Sequence, residues 1–331
     1  MTIIKKIGFT VGCLTTAFLV ACAADTLDFG NTNRIQHIDA SYEYAPDITF
    51  LNDTDWIIYY CGLNETGDRD AIYRIDTFDG GGSWSDAIKV FHNDVKTEDE
   101  GLHTCDPTVV RHNDVWHMFY DSEHSGNEGD VNERNRIFHA TSMDGLTWDR
   151  EGMVVDMINV ESNSYGAGMP SVLWDFKRQT WTMYYTDVSG IHGNTVWRID
   201  SLDKANLDEW DVNTRVKVVM PEEDGSKLSW DVAYFPEQGD GTYLATAGHN
   251  GSSAELISVY RSDNGIDFTF LADVPSNEGV NHNSGILRND MGHAASPFAI
   301  YWGAGDGGGE NAGSLTWDLW SNKWILWGKA K

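Results

Sequence analysis

The sequence predicts an all-β protein, a five-bladed β-propeller with four antiparallel strands in each blade. Three observations carry this. The chain has 33 glycines and 14 tryptophans against 7 prolines, the make-up of a turn-rich, aromatic β protein. Its apolar stretches are short and alternate with period two, as half-buried strands do. The same strand–turn–strand unit also recurs about five times at roughly 50–60 residues, the period of a four-stranded blade. A sandwich of similar hairpins is the competing fold, but the repeat persists to the C-terminus, which a sandwich does not require.

The N-terminus precedes the fold. Lys5 and Lys6 lead an apolar run, Ile7 to Val20, that closes in Leu19-Val20-Ala21-Cys22. This order of charge, apolar stretch and small residue describes a secretory signal, and the run is shorter than the ~20 residues of a membrane span. The closing quartet resembles the lipobox of bacterial lipoproteins, which implies a lipidated Cys22 after cleavage. Residues 1–21 are therefore expected to be a signal peptide. Residues 22–44 are expected to be the lipid-bearing cysteine and a tether, and 45–328 a single propeller domain. The expected location is a bacterial, outer membrane, facing periplasm or cell surface.

Charge narrows the partners. With 23 Lys plus Arg against 51 Asp plus Glu the net charge is −28, and loss of residues 1–21 takes two lysines and no acid, leaving −30. Such a field repels phosphates, so nucleic acid and anionic membrane surfaces are excluded as general partners. Membrane contact is expected through the lipid alone, and the propeller is expected to be a monomer.

The first two strands of each unit follow in order. They are Ala45-Pro-Asp-Ile-Thr-Phe with Trp56-Ile-Ile-Tyr-Tyr60, then Cys105-Asp-Pro-Thr-Val-Val with Trp116-His-Met-Phe-Tyr120. Next come Gly168-Met-Pro-Ser-Val-Leu with Trp181-Thr-Met-Tyr-Tyr185, and Trp230-Asp-Val-Ala-Tyr-Phe with Thr242-Tyr-Leu-Ala-Thr246. The last pair is Asn283-Ser-Gly-Ile-Leu with Pro297-Phe-Ala-Ile-Tyr-Trp302. Third strands are expected at 71–75, 137–141, 195–199, 256–261 and 314–319, and fourth strands at 87–91, 216–219 and 323–327. The turns Thr77–Trp84, Ser142–Trp148 and Ser262–Phe268 join third to fourth strands, with Asp or Asn and Gly making the tight bend. The first of these turns resembles the Asp-box of sialidases, and in a propeller it lies away from the axis.

In a blade the first strand runs beside the axis and the second returns outward. The starts of first strands and the loops after second strands therefore share one rim. That rim collects Asp47, Asp106, Asp231 and Trp230 from strand starts, and Glu123, His124, Asp187 and His249 from the returning loops. Converging carboxylates are what glycosidic hydrolysis needs, one to protonate the leaving oxygen and one to activate water or attack the sugar. Aromatic and polar rim groups would bind the sugar. Cys61 and Cys105 lie on the same rim in neighbouring blades, and in an oxidising compartment a disulfide between them is expected.

The Cys105-Asp106-Pro107-Thr-Val-Val strand, its partner Trp116–Tyr120 and the turn Ser142–Trp148 resemble glycoside hydrolases of family 43 and their family 32 relatives. The resemblance covers about residues 40–328 and implies three funnel acids, from the first strands of blades one, two and three. It implies Asp47 as base, although the order here is Pro46-Asp47, and Asp106 as modulator or transition-state stabiliser. The general acid would fall on Gly168-Met169-Pro170, where no acid stands. Glu161, Glu123 or Asp187 are the acids that could replace it, and Asp231 completes the set of candidate catalytic residues. His282 resembles the axial histidine that holds a calcium ion in some family 43 enzymes, so a structural Ca²⁺ on the axis is an open expectation; no other cofactor is required. Two functions remain open: a surface-anchored glycoside hydrolase acting on neutral saccharides, or a carbohydrate-binding propeller without catalysis.

Overall fold

The computed structural model describes residues 25–35, 43–63, 70–93, 100–101, 103–123, 134–158, 165–189, 193–204, 206–221, 227–237, 241–249, 256–275, 280–305 and 317–329. Every described element is a strand. Blade one is β3 (Glu43–Phe50), β4 (Trp56–Leu63), β5 (Asp70–Thr77) and β6 (Ile88–Phe91). It follows β1 (Asp25–Asp28) and β2 (Thr32–Arg34) in the chain. Blade two is β7 (Cys105–His112), β8 (Val115–Ser122), β9 (Arg136–Ser142) and β10 (Asp149–Val155). Blade three is β11 (Gly166–Asp175), β12 (Thr180–Ser189), β13 (Gly193–Ser201) and β14 (Trp210–Lys217). Blade four is β15 (Lys227–Phe235), β16 (Thr242–His249), β17 (Ser258–Ser262) and β18 (Thr269–Asp273). Blade five is β19 (Val280–Arg288), β20 (Phe298–Gly305) and β21 (Trp317–Lys329).

Blades two, three and four are separate four-stranded antiparallel sheets. Blades one and five are joined by a short parallel pairing of β19 with β3, Leu287 opposite Ile48. The ring closes through its cores. Five buried clusters are each shared by two neighbouring blades, for example Ile57, Tyr59 and Ile72 with Val109 and Trp116 between one and two. Ile48 and Ile58 likewise pack with Leu287 and Leu319 between one and five. A blade alone could not bury both faces of these aromatic strands, so each is stable only between two others.

The turns act as latches between blades. The Tyr59 hydroxyl of blade one donates to the Gly145 carbonyl in the blade-two turn (2.8 Å), and Tyr184 of blade three donates to Gly265 in the blade-four turn (2.9 Å). Asp144 and Asn264 shape these turns by accepting backbone N–H groups, from Leu146 and Thr147 and from Ile266 and Asp267. They are structural and lie between blades, away from the axial pocket.

Three boundaries differ from the sequence reading. In blade three the fourth strand is Trp210–Lys217, earlier than expected. In blade five the expected third and fourth strands are one 13-residue strand, Trp317–Lys329. No Gly or Pro breaks its middle, and the buried Asn322 amide there donates to Gly30 O (3.0 Å) and Thr32 Oγ1 (3.2 Å). The outer partners come instead from β1 and β2, which pair with β21 although the sequence reads them as tether.

Candidate functional site: an axial pocket

The five first strands share one register. Each carries a bulge near its start, and the residues around it align as Ala45-Pro-Asp47, Asp106-Pro-Thr108, Met169-Pro-Ser171, Ser229-Trp-Asp231 and Asn283-Ser-Gly285. The leading residues Ala45, Asp106, Met169 and Asn283 all have positive φ, between 35° and 54°. This left-handed kink is costly for a residue other than glycine and turns the side chain from the sheet toward the axis. Asp47, Asp106 and Asp231 all line one axial pocket, with Pro107, Met169, Pro170, Ser229 and Asn283 among its walls.

The acids nevertheless stand on two levels. On the deeper one, Arg288 at the end of β19 reaches the axis and bonds to four of the five blades. Its guanidinium pairs with Asp47, lies 3.0 Å from Asp231 Oδ1, and donates to Ser171 Oγ (3.0 Å), Thr108 Oγ1 (3.1 Å) and Val232 O (2.9 Å). The fifth blade contributes Gly285, whose missing side chain lets β19 approach β3; a Cβ there would lie 2.0 Å from Pro46 O. The second oxygens of both acids are also taken, Asp47 by the Val109 amide (3.0 Å) and Asp231 by the Ile286 amide (2.6 Å). Burial pushes Asp47 up to about 6, opposed by Arg288. Asp47 and Asp231 thus form a buried ionic hub with Arg288, not a free base and a spare acid. The catalytic roles expected for them from the sequence would fall on carboxylates that already bind Arg288 and a neighbouring blade's amide.

Asp106 lies nearer the rim and does not contact Arg288. Asn283 Nδ2 donates to its Oδ1 (2.6 Å), the Tyr165 hydroxyl lies 3.3 Å from its Oδ2, and its backbone N–H points at Cys61 Sγ (2.9 Å). Burial pushes its carboxyl up to about 6, against the pull of hydrogen bonds from Asp121, Asn283 and Tyr165 and of nearby His103. Cys61 and Cys105 form a disulfide, Cα to Cα 5.3 Å, tying the end of β4 to the start of β7 directly beside Asp106. Behind it, Asp70 accepts from the Tyr44 hydroxyl (2.7 Å) and pairs with His103 Nδ1 (3.3 Å).

The other sequence candidates are distributed differently. Trp230 touches the pocket wall, but its ring is 2% exposed and stacks on Tyr260 in the blade-four core, so it is no platform for a sugar. Asp187 is buried and accepts from the Ile158 amide (2.8 Å), anchoring the β10–β11 connection away from the pocket. Glu123 is buried against Gly101 behind the rim. Cys22, His124 and Glu161 lie outside the described residues, as do the side chains of His249 and His282. The residues to which the sequence reading gave no role are Arg288, Asp121, Tyr165, Asp70 and His103, although Asp70 and Asp121 belong to rim loops that strand order predicts. Arg288 left one signal, a cation directly after the apolar pair Ile286-Leu287 at the end of the first strand.

A calcium ion on the axis does not fit the described residues. Calcium takes six to eight oxygens, while the axial carboxylates Asp47 and Asp231 already face the Arg288 guanidinium. Off the axis, His117, His139 and Asp208 come within 4.8 Å of one another. Their two imidazoles hydrogen-bond each other (3.0 Å), and burial lowers both, to about 4 and about 3. They read as a neutral packed pair between blades.

Solved structures share this fold. A family 117 glycoside hydrolase from the marine bacterium Zobellia galactanivorans superposes with a TM-score of 0.63 at 12% identity, over 91% of this chain and 90% of that one. An α-L-arabinofuranosidase from Podospora anserina gives 0.61 at 11% identity, over 93% and 98%. A family 43 endo-arabinanase from Bacillus licheniformis gives 0.60 at 15% identity, over 88% and 99%. At these identities the likeness is one of fold. Among curated proteins no sequence matches. Residues 104–285, more than half of the chain and including Asp106, match the glycosyl hydrolases family 32 N-terminal domain, and the chain belongs to that family.

Proposed function

We propose that the protein is a glycoside hydrolase acting on neutral oligo- or polysaccharide at the mouth of the axial pocket, with Asp106 as its general acid. The observation that carries this is the state of Asp106. Of the three pocket aspartates it alone escapes Arg288, and burial holds its proton up to about 6. A carboxyl poised there can protonate a leaving oxygen near neutral pH, a step worth roughly 10²–10⁴-fold in rate. Asp70 is a further carboxylate nearby: both acids have an oxygen within 4.8 Å of the Cys105 sulfur, so those oxygens lie within about 10 Å of each other, with that sulfur close to both. Hydrolysis by protein carboxyl groups needs no cofactor.

We infer that the protein is exported and held on a bacterial membrane through lipid on Cys22, with the propeller facing periplasm or cell surface, because Lys5 and Lys6, the apolar run to Val20 and the quartet ending in Cys22 follow in the order of a lipoprotein signal.

A second reading has its own support. Ala45 stands where blade one would match Asp106, Gly168 stands where the resemblance places a general acid, and Arg288 binds the two deeper acids. A non-catalytic carbohydrate-binding propeller would show these features. The deciding experiment screens aryl glycosides and marine and plant oligosaccharides with wild type and Asp106→Asn. The hydrolase reading expects kcat to fall 10²–10⁴-fold in the variant with KM little changed, and wild-type kcat to fall as pH rises through about 6. Binding without turnover in wild type favours the second reading; full turnover in Asp106→Asn removes Asp106 from the chemistry.

A further inference from the structure

Gly168 begins the turn toward the axis in blade three, and another blade's carboxyl fills the space beside it. A Cβ built on Gly168 would lie 2.2 Å from Asp121 Oδ2. Asp121 comes from β8 in blade two and is 0% exposed. It hydrogen-bonds Asp106, and the Tyr165 hydroxyl reaches both acids, 2.9 Å from Asp121 Oδ2 and 3.3 Å from Asp106 Oδ2. One tyrosine proton cannot serve both, and the shorter contact assigns it to Asp121. Ionised carboxylates only accept hydrogen bonds, so the bond between the two acids needs a proton on one of them. A proton held between them removes the repulsion and supplies a hydrogen bond.

We propose that Asp121 is a positioning residue for Asp106: its carboxyl, seated in the volume that a side chain at position 168 would fill, shares one proton with Asp106 and holds it at the axial pocket. This rests on the reading of Asp106 as general acid. When Asp106 gives the shared proton to a leaving oxygen, both carboxyls are left ionised, with the Tyr165 hydroxyl on Asp121 and the Asn283 amide on Asp106 facing the charge. The proton taken from the attacking water later restores the pair, so protons balance over a turnover. The groups facing Asp106 are Asp121 from β8, Tyr165 ahead of β11, Asn283 from β19, and His103 ahead of β7 with Asp70 of β5 behind it. Arg288 is engaged one level deeper.

The test is a carbon-detected NMR titration of the Asp106 carboxyl in full-length wild type, Asp121→Asn and Gly168→Ala, beside kcat and KM against pH on whichever substrate the screen yields. In wild type the pair titrates in two steps, one below and one above the ordinary carboxylate range. In Asp121→Asn the amide holds no titratable proton and can donate to Asp106, so one step remains, at least one pH unit below the upper wild-type step. The alkaline limb of kcat moves down with it while KM stays within a few-fold. Gly168→Ala, which keeps both acids in the chain but pushes the Asp121 carboxyl aside, also collapses the two-step titration and serves if Asp121→Asn does not fold. An Asp106 titration unchanged in the folded variants overturns the proposal. A shifted titration in a protein with no turnover on any substrate upholds the shared proton and removes the hydrolase reading instead.

Discussion

Replacing Arg288 by methionine keeps most of the side chain's length and removes the guanidinium at the centre of the ring. Arg288 is 2% exposed, Asp47 4% and Asp231 8%. Truncating one partner of such a buried ion pair costs about 3–5 kcal/mol, because the remaining charges stay buried without compensation. Here the Ser171 and Thr108 hydroxyls and the Val232 carbonyl lose their donor too. Against a typical native stability of about 5–15 kcal/mol this is a large fraction. The loss depends on pH with a definite sign. Asp47, buried and facing Asp231 without the guanidinium that opposes its rise, retains a proton in the folded state that the unfolded chain gives up near 3.9. The folded state then binds more protons, so stability falls as pH rises, by about 1.4 kcal/mol per unit for each proton retained. Urea denaturation followed by tryptophan fluorescence at pH 5 and pH 8 reads this directly. Arg288→Met is expected to lose more at pH 8 than at pH 5, by up to about 4 kcal/mol if one proton is held across that range. Adding Asp47→Asn to Arg288→Met is expected to recover part of the loss at pH 8. A loss below about 1 kcal/mol at pH 8, or one independent of pH, would refute the ionic hub.

Two further predictions concern the cysteines. Removing the Cys61–Cys105 disulfide, which closes a separation of 44 residues, is expected to cost about 2–4 kcal/mol in denaturant and to lower turnover by loosening Asp106; equal denaturation midpoints for wild type and the double alanine variant would count against it. Cys22→Ser is expected to move the protein from the membrane fraction to the soluble one after expression in a bacterium that lipidates exported proteins, and unchanged partitioning would remove the anchor.

The blades, the alternating aromatic strands and the turns at Asp144 and Asn264 were legible in the sequence. Each depends on local spacing: period two for a strand facing two neighbours, and an Asx side chain that bonds amides two or three residues on. Cys61 and Cys105 could be paired from strand order, because the ends of second strands and the starts of first strands share a rim. The convergence of Asp47, Asp106 and Asp231 on one pocket follows from the same topology. Only the tertiary structure decided which partners each of those acids meets. Arg288 lies 241 residues from Asp47 and reaches it because closing the ring sets β19 beside β3. Asp121 approaches Gly168 across a blade boundary, where strand spacing within either blade carries no information. The strand at β21, read as two, runs on because its outer edge is covered by β1 and β2 from the other end of the chain. Strand identity is a property of neighbours in sequence; the charge state and partner of a buried carboxyl are properties of neighbours in space, and a closed ring brings together residues that are far apart in the chain.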